Sequence, residues 1–175
     1  MRSVALPILA LGLLATFAVF SQQVTDRRLQ QQLKQLFPEA VDFTLKQGAP
    51  PHFKALGKAT AGGEPEVLGL AWWTTEVEPL ERGYGGPIKM LVGMDTKGVL
   101  RGIVLTQHRE PYGDFSIDLP KFAAQFEQKN IRDPFRVGAD VDAVSTATIT
   151  VSSAARVVRS SARRIAREFL QPPAQ

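Results

Sequence analysis

The stretch IKMLVGMDTKGVLRGIVLTQ, residues 88–107, decides the architecture of this chain. Its two halves, 88–95 and 99–107, are rich in apolar and β-branched residues, and the short segment 96–98 separates them. Gly98 in that segment can adopt the positive φ that a tight turn requires. The alternating residues of the first half share one face of an extended strand: Ile88, Met90, Val92 and Met94. The pattern therefore predicts a β-hairpin with a buried face.

The residues before the hairpin predict a helix and a further strand. TDRRLQQQLKQLF (25–37) places its apolar residues at helical spacing, and Pro38 ends the pattern. The segment 47–65 is rich in glycine and proline, which predicts a loop. VLGLAWWTTEV (67–77) has the β-branched and aromatic composition of a strand.

The residues after the hairpin predict two helices. Residues 121–129 have the spacing of a short helix, and VSSAARVVRSSARRIAREFL (151–170) has that of a long one. Its apolar stripe consists of Val151, Ala154, Ala155, Val158, Ala162, Ile165, Ala166 and Phe169. Together these elements predict an α+β fold, an antiparallel sheet with packed helices.

An apolar segment, VALPILALGLLATFAVF (4–20), comes before the fold. It contains no charge and is long enough to predict a transmembrane helix that serves as a signal anchor. A cleaved signal peptide is the alternative, with residues 16–18 as its nearest cleavage site. We therefore divide the chain into the anchor (1–24), a helix and connecting region (25–66) and the main domain (67–171).

The composition excludes most metal and redox centres. The chain has no cysteine and only two histidines, which removes disulfides, iron–sulfur clusters and thiolate zinc sites. Five arginines and one glutamate follow Thr150, so this one helix carries the whole net charge of +4. No aromatic platform accompanies these arginines, so we expect no nucleic-acid partner.

The segment DAVSTATIT (142–150), just before the long helix, is dense in hydroxyl groups. Thr150, Ser152 or Ser153 could cap the helix, but that would leave Ser145, Thr146 and Thr148 without a purpose. A phosphate ester near Thr148 would face unpaired N–H groups and the positive end of the helix dipole.

The motif DAVSTAT (142–148) resembles the flavinylation pattern D-x-x-[S/T]-G-A-[T/S] of periplasmic FMN-binding domains. Such domains occur in the G component of the Rnf complex, in the C component of the sodium-translocating NADH:quinone reductase and in the regulator NosR. The hairpin segment GYGGPIKMLVGMDTKGVLRGIVLTQHREPYGDF (83–115) and IRDPFRVGADVDAVSTATIT (131–150) resemble the NosR type most. Residues 80–170 carry the resemblance.

The resemblance implies the roles of particular residues. FMN would be joined through its phosphate to Thr148 by a flavin transferase, with Asp142, Ser145 and Ala147 at recognition positions. Thr146 stands where the pattern has glycine. We take Tyr84, His108 and Glu110 as candidate contacts to the flavin. No catalytic residue and no metal ligand is expected.

The leading hypothesis is a single-pass protein of the cytoplasmic membrane whose domain lies on the periplasmic or extracellular side. It would transfer electrons between membrane redox partners as a covalent flavoprotein rather than act as a stand-alone enzyme. Release into the periplasm after signal cleavage is the alternative location. Alternative functions are a regulatory or interaction module of the same fold without flavin, and a small hydrolase or isomerase with His108 and Glu110 as an acid/base pair.

Overall fold

The computed structural model describes residues 26–59 and 63–170. Its elements along the chain are α1 (Arg27–Leu36), β1 (Asp42–Phe43), β2 (Phe53–Ala59), β3 (Pro65–Trp73), α2 (Thr74–Val77), β4 (Lys89–Asp95), β5 (Leu100–Gln107), α3 (Pro120–Ala124) and α4 (Thr148–Phe169). A short 3₁₀ turn, Gly113–Phe115, follows β5. The predicted transmembrane segment 4–20 lies outside the described residues. No helix within 26–59 and 63–170 is long and apolar enough to cross a lipid bilayer.

The five strands form one antiparallel sheet in the order β1-β2-β3-β4-β5, with each strand next to its neighbours in sequence. The predicted hairpin is confirmed as β4 and β5. Gly98 in its turn has a φ of +81°, and the Asp95 carboxylate holds the turn by accepting the Lys97 and Val99 N–H groups at 2.8 and 2.9 Å. The predicted α+β class with an antiparallel sheet and packed helices is also confirmed.

Helices cover both faces of the sheet. The long helix α4 covers one face, where Met90, Val92 and Met94 of β4 are buried together with the apolar stripe of α4. Phe169, the last residue of the predicted stripe, is exposed and lies outside this core. Helix α1 covers the other face, where Leu33 and Leu36 pack near Leu91 in a second, smaller core. Asp26 caps α1 by accepting hydrogen bonds from the Arg28 and Leu29 N–H groups.

Two predictions about the strands were wrong in part. The predicted loop 47–65 contains β2, whose buried and half-buried residues alternate from Phe53 as in a strand with one packed face. The predicted strand 67–77 ends at Trp73, and residues 74–77 form the helical turn α2. Thr74 accounts for this ending, because its buried hydroxyl accepts the Met90 N–H and donates to the Ile88 carbonyl, both at 3.0 Å.

The two helices after the hairpin differ from prediction at their ends. Helix α3 is shorter than the predicted 121–129, covering Pro120–Ala124. Helix α4 begins at Thr148, three residues before the predicted start at Val151. Thr148 is therefore the first residue of the helix and not part of the loop that leads to it.

Candidate functional site

The start of α4 has no side-chain cap. Ala147 occupies the N-cap position, and no side-chain hydrogen bond caps the helix there. The prediction that Thr150, Ser152 or Ser153 caps the helix is therefore wrong. No hydrogen bond from the N–H groups of Thr148, Ile149 and Thr150 to another described residue is present. These donors lie at the positive end of a helix of 22 residues.

The segment that leads into α4 is a turn with a left-handed residue. The Ala147 N–H donates to the Val144 carbonyl at 3.1 Å, so Val144–Ala147 form a four-residue turn. Thr146, at the third position of this turn, has a φ of +71°. Residues with positive φ at this position are usually glycine, and a β-branched residue there is strained. The glycine of the flavinylation pattern thus falls where this backbone needs it, and threonine adopts the same conformation.

The four hydroxyl and carboxyl residues of the motif face solvent. Asp142, Ser145, Thr146 and Thr148 are exposed, whereas Ala147 is buried against α4 and its neighbours. Asp142 is held through its backbone, because its N–H donates to Gln125 Oε1 at 2.6 Å. The Thr148 side chain is therefore accessible to a modifying enzyme.

Glu110 joins the start of α4 to the glycine-rich loop 83–87. Its carboxylate accepts the Tyr84 N–H at 3.0 Å and the Gly85 N–H at 2.8 Å. The Thr150 hydroxyl in the first turn of α4 also donates to it. The Glu110 residue is only 7% exposed, so these donors supply the partners that a buried carboxylate requires. Thr150 therefore bonds to Glu110 instead of capping its own helix.

The loop 83–87 approaches the end of β5 so closely that it needs glycine. A Cβ on Gly85 would lie 2.0 Å from the carbonyl oxygen of Arg109. A Cβ on Gly83 would lie 2.4 Å from a carboxylate oxygen of Glu110. Because of these contacts, the glycines of GYGGP allow close packing as well as forming a turn. The loop has no lysine, so it does not match a phosphate-binding motif.

His108 forms a pair with Asp118 and not with Glu110. Its Nε2 lies 2.8 Å from Asp118 Oδ1, and its Nδ1 accepts the Glu110 N–H at 3.0 Å. Since Nδ1 accepts, the ring proton of the neutral imidazole is on Nε2 and is donated to Asp118. The Glu110 carboxylate is bound to the loop 83–87 and to Thr150. The proposed acid/base pair of His108 and Glu110 side chains is therefore absent from the structure.

A polar cleft of about 420 Å³ lies beside this cluster, between the loop 83–87 and the ends of β4 and β5. Its walls include His108, Gly85 and three cationic side chains, those of Arg82, Lys89 and Arg109. Sequence reasoning missed these cations, because Arg82 and Arg109 lie outside any motif and only the fold brings them together.

Exposed apolar side chains lie on the segments that form this cluster or next to them in the chain. Tyr84 is 71% exposed, Phe115 is 72% exposed and Ile149 is 59% exposed. Tyr84 donates its N–H to Glu110, Ile149 precedes Thr150, and Phe115 lies in the 3₁₀ turn five residues after Glu110. Large exposed apolar groups on adjoining segments are typical of a binding surface. Tyr84 thus contributes its backbone to the cluster and leaves its ring open to solvent.

The sequence-predicted site residues therefore form two groups. Tyr84, His108 and Glu110 meet in one cluster, which Thr150 connects to the start of α4. Asp142, Ser145, Thr146 and Thr148 lie on the segment that enters that helix. Thr150 and Asp118 are the members of the cluster that sequence reasoning did not assign to it.

Comparison with known proteins supports a family for this part of the chain. The model of the FMN-binding domain family matches residues 83–162, which extend from the glycine-rich loop to the middle of α4. The chain is also 29% identical over 182 residues to the G component of the ion-translocating oxidoreductase complex of Shewanella oneidensis, with 88% of this chain and 83% of that protein covered. Residues 83–162 are therefore similar to the FMN-binding domain family, and most of the chain is similar to this G component.

Proposed function

We propose that this protein carries FMN covalently, as a phosphoester on Thr148, and transfers electrons between redox partners at a membrane. The matched family range contains Thr148, the loop 83–87 and Glu110. The name of the Shewanella oneidensis relative describes a component of an ion-translocating oxidoreductase complex. Within the family we propose the NosR type, on the sequences of the hairpin segment and of the approach to the attachment motif.

The observation that carries the proposal is the position of Thr148. Its side chain is exposed, it is the first residue of α4, and no side chain caps the helix. The free N–H donors and the helix dipole at that end favour a phosphate group. Formation of a phosphoester requires an accessible hydroxyl, and a positive electrostatic environment stabilises the phosphate. Thr148 offers both.

The neighbouring surface fits an aromatic ring system that has polar edges. The exposed side chains of Tyr84, Phe115 and Ile149 offer apolar contact area to such a ring. The cleft with Arg82, Lys89 and Arg109 offers cationic donors to its polar edge. FMN, when bound, supplies transfer of one or two electrons, and the protein controls its orientation and electrostatic environment.

Glu110 and His108 would act as supports of this surface. Glu110 holds the loop 83–87 against the first turn of α4, so that Tyr84 keeps its position relative to the attachment helix. His108 holds the backbone of Glu110 on one side and Asp118 on the other. Neither side chain needs to touch the flavin for this role, which differs from the direct contacts that the sequence suggested.

We further propose that the domain lies outside the cytoplasm on a membrane anchor formed by residues 4–20, with release after signal cleavage as the alternative. The uncharged apolar run supports this placement. A flavin transferase on the same side of the membrane would then attach the FMN. The other partners would be proteins of a membrane redox complex.

The first test co-expresses the full chain with a flavin transferase and measures protein mass and in-gel flavin fluorescence. We expect a mass increase of one FMN less one water, which Thr148→Val abolishes. Thr148→Ser should retain the flavin, because serine keeps the attacking hydroxyl. Ser152→Ala, four residues further along α4, is the matched control and should remain flavinylated. Covalent flavin in Thr148→Val would refute the attachment site.

A module without covalent flavin is the second candidate function, and one observation favours it. Thr146 holds the left-handed turn position at which the family pattern has glycine. A bulkier side chain beside Thr148 would obstruct a transferase that reads this turn. If the wild-type chain stays colourless after co-expression and Thr146→Gly becomes flavinylated, this second function replaces the first.

A further inference from the structure

A second cleft, of about 480 Å³, lies at the other end of α4. It is formed by the last turns of that helix, the turn of the β4–β5 hairpin and the segment at residues 131–132. Four cationic side chains line it: Lys97, Arg132, Arg163 and Arg167. Below we call this feature the basic cleft.

A backbone hydrogen bond and close apolar packing hold the walls of the basic cleft in place. The Ile131 N–H donates to the Gly98 carbonyl at 3.0 Å, which fastens the segment 131–132 to the hairpin turn. A Cβ on Gly98 would meet Ile131 at 3.1 Å and Leu170 at 3.5 Å, so these apolar side chains pack closely against the turn. Together with the buried Ala166, they give the cleft an apolar floor.

Three of these four cations have side chains that bind no described residue. None of the four forms an ion pair with any residue in 26–59 or 63–170. Arg163 donates through Nε and Nη2 to the carbonyls of Ile131 and Asp133, at 2.8 and 2.9 Å. Lys97, Arg132 and Arg167 are exposed, and no side-chain hydrogen bond of theirs to a described residue is present.

Arg167 differs in this respect from the other arginines of α4. The other four are held by protein partners: Arg156 by Glu81, Arg159 by the Pro134 carbonyl, Arg163 as described above, and Arg164 by the Val77 carbonyl. The nearby carboxylates are also engaged, since Asp95 accepts the Lys97 and Val99 N–H groups and Asp133 accepts the Asn130 N–H. Among the described residues, neither of these carboxylates forms an ion pair with a cation of the cleft.

We propose that the basic cleft is a docking site for an acidic segment of another protein, in which carboxylates flank an apolar side chain. Three separate, flexible cations match carboxylates that are spread along a chain, and the floor of Ile131, Ala166 and Leu170 accepts the apolar group. Two of the five Arg163 N–H donors are already bound to carbonyls, so the exposed Lys97, Arg132 and Arg167 supply most of the cationic contacts. The remaining residues of the chain, 171–175, contain no carboxylate side chain.

The docking site is separate from the proposed attachment site. Nineteen residues separate Thr148 from Arg167 along one helix, a distance of about 28 Å at 1.5 Å per residue. A partner in the basic cleft would therefore hold the protein in an assembly without touching a group on Thr148. Binding there does not depend on flavin, so its test is independent of the proposed function.

The test measures the fluorescence anisotropy of a fluorescein-labelled peptide, Glu-Glu-Leu-Asp-Glu-Leu-Glu-Glu, with the full chain in neutral detergent. We expect saturable binding that weakens with added salt. The double variant Arg132→Glu/Arg167→Glu should weaken it by about tenfold or more. Lys58→Glu/Lys121→Glu changes the net charge equally at exposed sites outside the cleft and is the matched control.

Each other outcome would overturn the proposal. These outcomes are equal loss of affinity in both double variants, equal binding of the neutral peptide Gln-Gln-Leu-Asn-Gln-Leu-Gln-Gln, and no binding at all. Inorganic phosphate that displaces the acidic peptide at low millimolar concentration would indicate a small-anion site instead. Arg132- and Arg167-dependent binding to phosphatidylglycerol vesicles, without peptide binding, would indicate a lipid surface. Thermal unfolding of each variant ensures that folded proteins are compared.

Discussion

Glu110 and Asp140 are two carboxylates that accept the same kinds of hydrogen bond, but their donors lie at very different separations along the sequence. Each accepts two backbone N–H groups and one side-chain donor. Asp140 binds Phe135 N, Arg136 N and Lys129 Nζ, all within eleven residues of itself. Glu110 binds donors that are 25, 26 and 40 residues away. Asp140 thus closes a local loop, whereas Glu110 joins three distant parts of the fold.

The difference shows how this domain positions its site. The Asp140 loop comes directly before residue 142, where the motif that resembles the flavinylation pattern begins. Glu110 fixes the position of the helix start, because it binds both the first turn of α4 and the loop 83–87. The loop closed by Asp140 therefore precedes the motif in sequence. The buried carboxylate of Glu110 sets the position of the start of α4 relative to the exposed apolar side chains.

The largest expected effect comes from Glu110→Gln. Glutamine keeps one acceptor oxygen but turns an NH₂ group toward N–H donors, which leaves a partly buried backbone donor unpaired. We expect a loss of about 3 kcal/mol in the free energy of unfolding, the scale for hydrogen bonds to a buried charge. Urea unfolding followed by tryptophan fluorescence measures it. A loss below that of the equivalent change at Asp140 would refute the contrast between the two carboxylates.

Asp140→Asn should cost less, about 1–2 kcal/mol, because its loop is local and partly open to water. The Asp140 side chain is 22% exposed, and solvent can replace part of what the substitution removes. Hydrogen exchange should rise in residues 135–141 and stay unchanged in the loop 83–87. Increased exchange in both loops would show that the two carboxylates act as one unit.

The pH dependence of stability gives a second measure of Asp140. Burial alone would raise the pKa of Asp140, but hydrogen bonds from the Arg136 N–H, Lys129 and the Phe135 N–H outweigh it and lower the pKa from 3.8. A group whose folded-state pKa is depressed stabilises the fold above its unfolded pKa and loses that contribution as the pH falls through the folded pKa. Wild type should therefore lose more stability than Asp140→Asn when the pH falls from 5 to 3. Parallel melting curves for the two proteins over that range would contradict this.

The smallest expected effect is a gain, from Thr146→Gly in the turn Val144–Ala147 that precedes α4. Glycine adopts a φ of +71° without the steric cost that a β-branched residue bears there. We expect stability to increase by about 1 kcal/mol, reduced by the entropy that glycine gains in the unfolded chain. Thermal unfolding checks the sign. Thr146→Ala is the control, since alanine is strained at the same φ and should bring no comparable gain.

The parts of the fold that depend on local pattern could be predicted from the sequence. Alternation in β4 and helical spacing in α4 each indicated which face is buried, and both faces are buried as expected except at Phe169, which is 36% exposed. Strand β2 could not be recognised, because its glycine and lysine residues resemble a loop until β3 pairs with it. The end of β3 was equally hidden, since it depends on the bonds of Thr74 to Ile88 and Met90 across fourteen and sixteen residues.

The candidate site also has a part that depends on local sequence and a part that depends on distant partners. The segment 142–148 is contiguous, so its hydroxyl groups and its likeness to the flavinylation pattern could be read directly. The roles of Glu110 and His108 could not, because their partners lie far apart in sequence. Their alternate positions just after the predicted strand 99–107 pointed to a pair between these two side chains. In the fold, His108 pairs with Asp118 instead, and Glu110 binds Thr150.

The position of α4 at the end of the fold has a consequence during synthesis. The buried face that contains Met90, Val92 and Met94 is covered by a helix that begins only at Thr148. Until that helix emerges, the hairpin exposes an apolar sheet face of the kind that promotes aggregation. A chain that stops before residue 148 should therefore bind chaperones or precipitate. The helix that would carry the flavin at its first residue is also the one that makes the nascent domain soluble.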